Sequence, residues 1–322
     1  MTISQQRLMA EAAATGFRPE ILEKVIHLLN LLENFRSHPF LKNRFALKGG
    51  TALNLFLFNV PRLSVDIDLN YIGSADRDIM LEEKPKLEKA LTDVFAREGF
   101  TVTRQPAEHA GGKWRLGYPS VVTAGGNLEV DVNFMLRIPL WAPIVQNSHA
   151  VGSYSAIGIP ILDRHELAAG KFAALLARHT SRDLFDAHQM LTTQTLEPEK
   201  LRLGFVLYGA MNRKDWRTVS VTDIAFDERE LQEQLIPLLS DSAIQSLGTD
   251  LQWAVRIVDE CRTALAMVLP LRPPELEFLE RINQHGEIRP DLLTPDPAMT
   301  EKISQHPQLL WKALNVKQHK KL

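Results

Sequence analysis

The stretch that most narrows what this chain can become runs from Phe45 to Tyr71 and reads FALKGGTALNLFLFNVPRLSVDIDLNY. A short apolar run, the Gly49-Gly50-Thr51 turn, an apolar helical segment and a run of alternating residues predict strand, turn, helix and strand in that order. Glycines at 49 and 50 let the backbone approach a bulky anion. Thr51 offers a hydroxyl and an amide near a helix start, where the dipole favours phosphate. In Ser-Val-Asp-Ile-Asp-Leu the period of two places Ser64, Asp66 and Asp68 on one face and Val65, Ile67 and Leu69 on the other. Two carboxylates side by side repel unless a cation lies between them, and oxygen donors of this kind suit magnesium. A tight turn beside a solvated strand could carry any one of these features. Glycines, hydroxyls and paired acids together in one short unit point to a phosphate- and metal-handling site.

Gly-Gly-Thr, an apolar helix and then Arg-Leu-Ser-Val-Asp-Ile-Asp-Leu resemble the signature of the nucleotidyltransferase AbiEii/AbiGii toxin family, which includes the mycobacterial MenT toxins and sits within the polymerase-beta-like nucleotidyltransferases. The resemblance implies an α+β fold: a mixed nucleotidyltransferase-fold sheet flanked by helices, with a largely helical C-terminal lobe. The first lobe, with its N-terminal helices, is expected over residues 1–162 and the second over 163–322.

Composition sets limits on this reading. With 322 residues, 45% hydrophobic and 24% charged, the chain can bury a substantial core and split into two lobes. A formal net charge of −2 means that any nucleic-acid partner must be held by a local basic surface. The one cysteine, Cys261, excludes an intrachain disulfide and lies in a helical apolar pattern, as a small core residue would. The first residues lack the charged-then-apolar layout of a signal peptide, and no apolar run reaches the ~18 residues of a membrane span. A cytoplasmic location without membrane contact is expected. A Walker-type phosphate loop is absent, because Lys48 precedes Gly49-Gly50-Thr51 instead of following the glycines.

Residues 1–44 read as helices, with Arg18-Pro19 marking a start and Ile21 to Leu32 spaced as packing material. A charged helix follows Tyr71 and ends at Gly99. The runs TVTRQ, GKWRLGYPSVV and NLEVDVNFML then alternate as strands, expected to extend the sheet in antiparallel fashion. In the last run Glu129, Asp131 and Asn133 share a face. The fold implied by the resemblance takes a third carboxylate from such a strand, with Asp131 the first choice and Glu129 the second; the alternative is an exposed polar face. Lys113 and Arg115 could touch phosphates or could protect an edge strand.

The run from Ile161 to Leu191 reads as one helix, and an unbroken helix would place Lys171, Arg178, Arg182 and Asp186 within an arc of about 80°. The resemblance extends to Lys171 and to Arg182-Asp183-Leu184-Phe185-Asp186. The alternative is a salt-bridged helix in which Lys171 pairs with Asp163 or Glu166. Beyond Leu201 the chain is mainly amphipathic helix. Arg213, Lys214 and Arg217 around Trp216, and the basic tail near Trp311, could hold a nucleic-acid backbone and stack a base, or could be solubilising residues around buried tryptophans.

Taken together, the resemblance implies a toxin of a toxin–antitoxin or phage-defence system that transfers a nucleotide from an NTP to an acceptor, the tRNA 3′ end, and is restrained by a cognate AbiEi-like antitoxin. Gly49, Gly50, Thr51 and Ser64, with Lys171, Arg178 and Arg182, would bind the nucleotide. Asp66, Asp68 and Asp131 would hold Mg2+, and Asp186 would fix Lys171 or meet the acceptor. Two other readings stay open at this point: transfer to a protein or small-molecule hydroxyl, and a non-catalytic protein that only binds a nucleotide or partner.

Overall fold

The computed structural model describes residues 3–106, 110–248 and 251–320. The chain runs α1 (Gln5–Thr15), α2 (Pro19–Ser37), β1 (Phe45–Lys48), α3 (Gly49–Ala52), β2 (Asp66–Tyr71), α4 (Arg77–Arg97), β3 (Thr101–Arg104), β4 (Gly111–Tyr118), β5 (Gly126–Asn133), β6 (Ile144–Gln146) and β7 (Ile159–Ile161). Helices follow: α5 (Arg164–Arg178), α6 (Ser181–Thr193), α7 (Pro198–Ala210), α8 (Glu228–Glu230), α9 (Asp241–Leu247), α10 (Gln252–Ala264), α11 (Pro273–Glu280), α12 (Pro297–Ser304) and α13 (Pro307–Lys320). Among the described residues no helix is long and apolar enough to cross a membrane.

Two compact units result. The first comprises Met1–Arg137, Pro143–Leu162 and Gln234–Thr249, the second Ile138–Ala142, Asp163–Glu233 and Asp250–Leu322. The first unit is built on a seven-stranded mixed sheet in the order β3-β4-β5-β2-β1-β7-β6. Strand β4 is antiparallel to both β3 and β5, as their alternation leads one to expect, but β5 joins β2 in parallel. The physical reason is the length of the connection. The chain passes through α4, β3 and β4 before returning beside β2, which allows the parallel approach that a tight turn forbids.

One face of this sheet is apolar. Trp114, Leu116, Val130, Val132, Ile67 and Leu69 are all buried there. Helix α2 begins at Pro19, whose fixed φ suits the first turn, and packs against β5, β7 and α4. His27 of α2 lies against the rings of Phe100 and Tyr118, and Phe35 against Phe45 and Phe95. Each fully buried leucine or phenylalanine on this helix contributes ~1.5–3 kcal/mol of transfer free energy. The opposite, polar face of the sheet is thereby left for chemistry.

The second unit is helical, with α5 packed on α6 and α7, and α6 on α10. The single long helix expected over 161–191 is two helices. Thr180 caps the second, accepting from the amide of Asp183, and His179 takes a left-handed conformation at φ 58°. A β-region cap at 180 and a left-handed residue at 179 cannot continue an α-helix, so the chain turns there. Cys261 is buried, and burial pushes its thiol up to about 12, as a core residue requires.

Glu166, on α5, clamps the short segment Ile138–Ala142 within this unit. Its carboxylate accepts from the amide of Leu140 at 2.9 Å and the hydroxyl of Tyr208 at 3.1 Å, while Lys302 donates to the Leu140 carbonyl at 2.8 Å. Burial nevertheless pushes this carboxyl up to about 7 from an ordinary 4.5. Between those values the folded chain holds a proton that the unfolded chain has lost, so this group makes stability fall as pH rises through the window. Relative to wild type, Glu166→Gln should therefore gain stability between about pH 5 and 7.5, by up to ~3 kcal/mol. Urea unfolding at both pH values measures this, and parallel pH profiles for the two proteins would refute it.

Candidate active site

Strand register arranges charge on the polar sheet face in two rows. In one row Lys113 of β4 pairs with Asp131 of β5, Asp131 with Asp68 of β2, and Asp68 with Lys48 of β1. In the other, Arg104 of β3 pairs with Arg115 of β4, Arg115 with Glu129 of β5, and Glu129 with Asp66 of β2. Adjacent strands lie about 4.8 Å apart. The carboxylates thus occupy the two central strands and cations flank them. Burial first, and then the charge of Asp68, push the Asp131 carboxyl above its usual range, while Lys48 and Lys113 oppose the shift.

Asp66, Asp68 and Asp131 suit a divalent cation by this reckoning, since a positive charge between them would offset both the repulsion and the upward push on Asp131. Among the described residues no three acidic, histidine or cysteine side chains close into a ready-made metal cage. Magnesium does not need one, because it is usually held by one or two carboxylates with substrate phosphates and water completing the octahedron. Glu129 is not part of this group. Its carboxylate is engaged by Lys113 at 2.7 Å and Arg115 at 3.0 Å, which hold the carboxyl below its usual range, so the alternative third carboxylate serves as a counter-ion.

The glycine turn meets this face directly. Gly49 has φ +69°, and a Cβ there would lie 2.3 Å from the Asp68 carboxylate; a Cβ at Gly50 would lie 2.8 Å from the Ser64 hydroxyl. Both positions need glycine because the backbone presses against the acid strand. Thr51 and Ser64 behave differently from a pair of free phosphate donors. Both are buried: Thr51 donates to the Asp66 carbonyl at 2.5 Å and lies 3.0 Å from the Ser64 hydroxyl. Ser64 precedes β2 instead of lying within it. The two hydroxyls pin the start of β2 to the turn, which fixes where Asp66 emerges. A short π-type turn, Leu53–Leu57, continues α3 and buries Leu53, Leu55 and Phe56.

In the second unit, the break at His179-Thr180 folds α6 back along α5 and brings Lys171 to Asp186 by packing, not by sharing one helix face. Lys171 Nζ lies 2.8 Å from Asp183 and 2.9 Å from Asp186. Asp183 also receives Arg178 at 2.8 Å. Lys171 is only 9% exposed and Asp186 fully buried. Although burial pushes the Asp183 carboxyl upward, Lys171 and Arg178 together hold it below its usual range. Two cations and two carboxylates balance. Neither Asp163 nor Glu166 takes Lys171: Asp163 caps α5 and Glu166 clamps Leu140. Arg182 is half-buried and, among the described residues, forms no ion pair in this group.

Asp183 is the residue that sequence reasoning passed over. Its spacing of three from Asp186 on one helix was the available signal. The Trp216 reading is also corrected. Trp216 is completely buried against Phe205, and Arg217 and Lys214 are paired with Asp215 and Asp223, so no base can stack there. Trp311 is 54% exposed.

The profile of the family described as nucleotidyl transferase AbiEii toxin, type IV toxin–antitoxin system, matches residues 30–312. A search of curated protein sequences gave no match. Among solved structures the fold is similar to MenT4, a nucleotidyltransferase toxin from Mycobacterium tuberculosis H37Rv. The TM-score is 0.62 at 18% identity, over 96% of this chain and 99% of that one. At that identity the likeness speaks for the fold, which is the mixed sheet with flanking helices described above. The family match spans most of the chain and contains both the Gly-Gly-Thr to Asp-x-Asp unit and the Lys171–Asp186 group, and this chain belongs to the AbiEii nucleotidyltransferase toxin family of type IV toxin–antitoxin systems.

Proposed function

We propose that this toxin is a magnesium-dependent nucleotidyltransferase that moves NMP from an NTP to an acceptor hydroxyl at the tRNA 3′ end, so blocking aminoacylation and translation. The observation that carries the reading is the placement of Asp66, Asp68 and Asp131 on adjacent strands beside the Gly49-Gly50 turn. An acceptor oxygen attacks the alpha phosphorus, the bond to the bridging oxygen breaks, and pyrophosphate leaves with that electron pair. Asp66, Asp68 and Asp131 would hold the magnesium, which when bound supplies charge neutralisation at the alpha phosphate.

The chain's own residues have separate tasks. The backbone at the Gly49-Gly50-Thr51 turn would meet phosphate oxygens, with the buried Thr51 and Ser64 hydroxyls bracing the turn from behind. Asp131, at the metal, would also orient the acceptor hydroxyl for attack. Lys171 is the cation assigned to the triphosphate, held in position by Asp183 and Asp186, with Arg178 and Arg182 nearby in sequence. The cognate AbiEi-like antitoxin would restrain the activity in the cytoplasm.

Incubation with total tRNA and each NTP, labelled at the alpha or the gamma phosphate, tests this reading. Alpha label entering tRNA, gamma label released as pyrophosphate, and loss of both on chelation of divalent metal are expected. Label entering only protein or a small molecule would overturn the assigned acceptor. Gamma label entering any acceptor would overturn the reaction.

A further inference from the structure

Arg104 and Arg115 are partners across β3 and β4 just past a bulge in the ladder, and like charges brought together across a sheet are destabilising. Both are exposed, and the side chain of Arg115 is 55% accessible. Lys113 lies on the same face two residues from Arg115 and is 46% accessible at its side chain. A single carboxylate, Glu129, serves both Lys113 and Arg115. The three cations form a strip on the outer strands that ends at Asp131 and Asp66, whose charges reach Lys113. Edge protection alone accounts for one lysine or arginine, not for a repelling arginine pair that a neighbouring acid only half compensates.

We propose that the Arg104–Arg115–Lys113 strip is the surface that grips the phosphodiester backbone of a nucleic-acid acceptor, and that Glu129 is an internal stand-in for one of its phosphates. In the free protein Glu129 neutralises Lys113 and Arg115 and limits their repulsion. An incoming phosphate competes for the same guanidinium and ammonium donors, which suit a tetrahedral oxyanion at least as well as a carboxylate. Binding costs the displacement of Glu129, so the strip discriminates in favour of a polyanion that also engages Arg104. This inference rests on the nucleic-acid acceptor of the proposed function and adds the surface that receives it.

Opposite effects are expected from its two halves. With a fluorescein-labelled 16-nucleotide single-stranded RNA, in the absence of NTP and divalent metal, Kd is measured by anisotropy over a range of KCl concentrations. Arg104→Ala and Arg115→Ala should each weaken binding and flatten the plot of log K against log salt by about 0.7, the contribution of one phosphate contact on a single strand. Glu129→Gln should tighten binding roughly three- to tenfold at low salt, at the scale of one neighbouring charge. Because no NTP is present, these changes do not depend on catalysis. Unaltered slopes in both arginine variants, or weaker binding in Glu129→Gln, would overturn the strip even if wild-type protein labels tRNA. Conversely, the expected binding changes with no transfer activity would uphold the strip and reject the transferase reading.

Discussion

An Asp66→Ala variant is expected to lose nucleotide transfer by about a thousandfold or more, while its unfolding midpoint in urea stays close to that of wild type. The rate effect follows from the acid cluster. Asp66 stands at the first position of β2 in register with Glu129, two pairs along from Asp68 and Asp131 and on the same face, so its carboxylate is a third of the oxygen set proposed to hold the metal. A loss of about 4 kcal/mol of charge stabilisation in the transition state corresponds to the stated factor. The stability effect is small for a separate reason. It is the carbonyl of Asp66, not its side chain, that ties β2 to Thr51, and that bond survives the substitution. Removing one of several crowded carboxylates also relieves repulsion. Initial rates with saturating NTP, beside a urea titration of each protein, make the measurement. A variant that retains a tenth of wild-type activity would remove Asp66 from the metal site.

Lys171→Ala is expected to destabilise the second unit by roughly 3–5 kcal/mol, because it leaves two buried carboxylates, Asp183 and Asp186, without their shared cation. Part of that cost is recovered when a carboxylate takes up a proton, so the loss should be largest at high pH and smaller near pH 5. Arg178→Ala makes a sharp contrast. It touches the same Asp183, but its side chain is 63% exposed, and its removal should cost under about 1 kcal/mol. Tryptophan fluorescence suits the measurement, since Trp141, Trp216, Trp253 and Trp311 lie in the second unit and only Trp114 in the first. Equal losses for the two variants would show that burial of the pair is not what makes it matter. A Lys171→Ala protein as stable as wild type would show that the lysine is not needed to neutralise the two acids.

Much of the first unit could be read from the sequence because its information is local. Strand alternation follows from the pleat, so Val65, Ile67 and Leu69 against Ser64, Asp66 and Asp68 gave the two faces with no knowledge of neighbours, although Ser64 proved to precede the strand. Gly49 and Gly50 likewise announced a close backbone approach, and the positive φ at Gly49 and the nearness of Asp68 supply its cause. The reading failed where a side chain's partner lies far along the chain. The pattern marked Thr51 and Ser64 as phosphate donors, and gave no sign that their hydroxyls are buried against each other and the Asp66 carbonyl. Glu129, the second choice after Asp131 for a third carboxylate, is paired with Lys113 and Arg115.

The second unit shows the same division. Periodicity alone determined that 161–191 is helical, and the spacing of Lys171 from Asp186 made the pair worth noticing. A left-handed His179 and a capping Thr180 decided that they meet across two packed helices, with Asp183 between Lys171 and Arg178. Period and turn chemistry are properties of a few consecutive residues and survive in the bare sequence. Which acid neutralises which cation depends on strand register and helix packing, where a shift of one residue exchanges every partner, and only the folded chain fixes that choice.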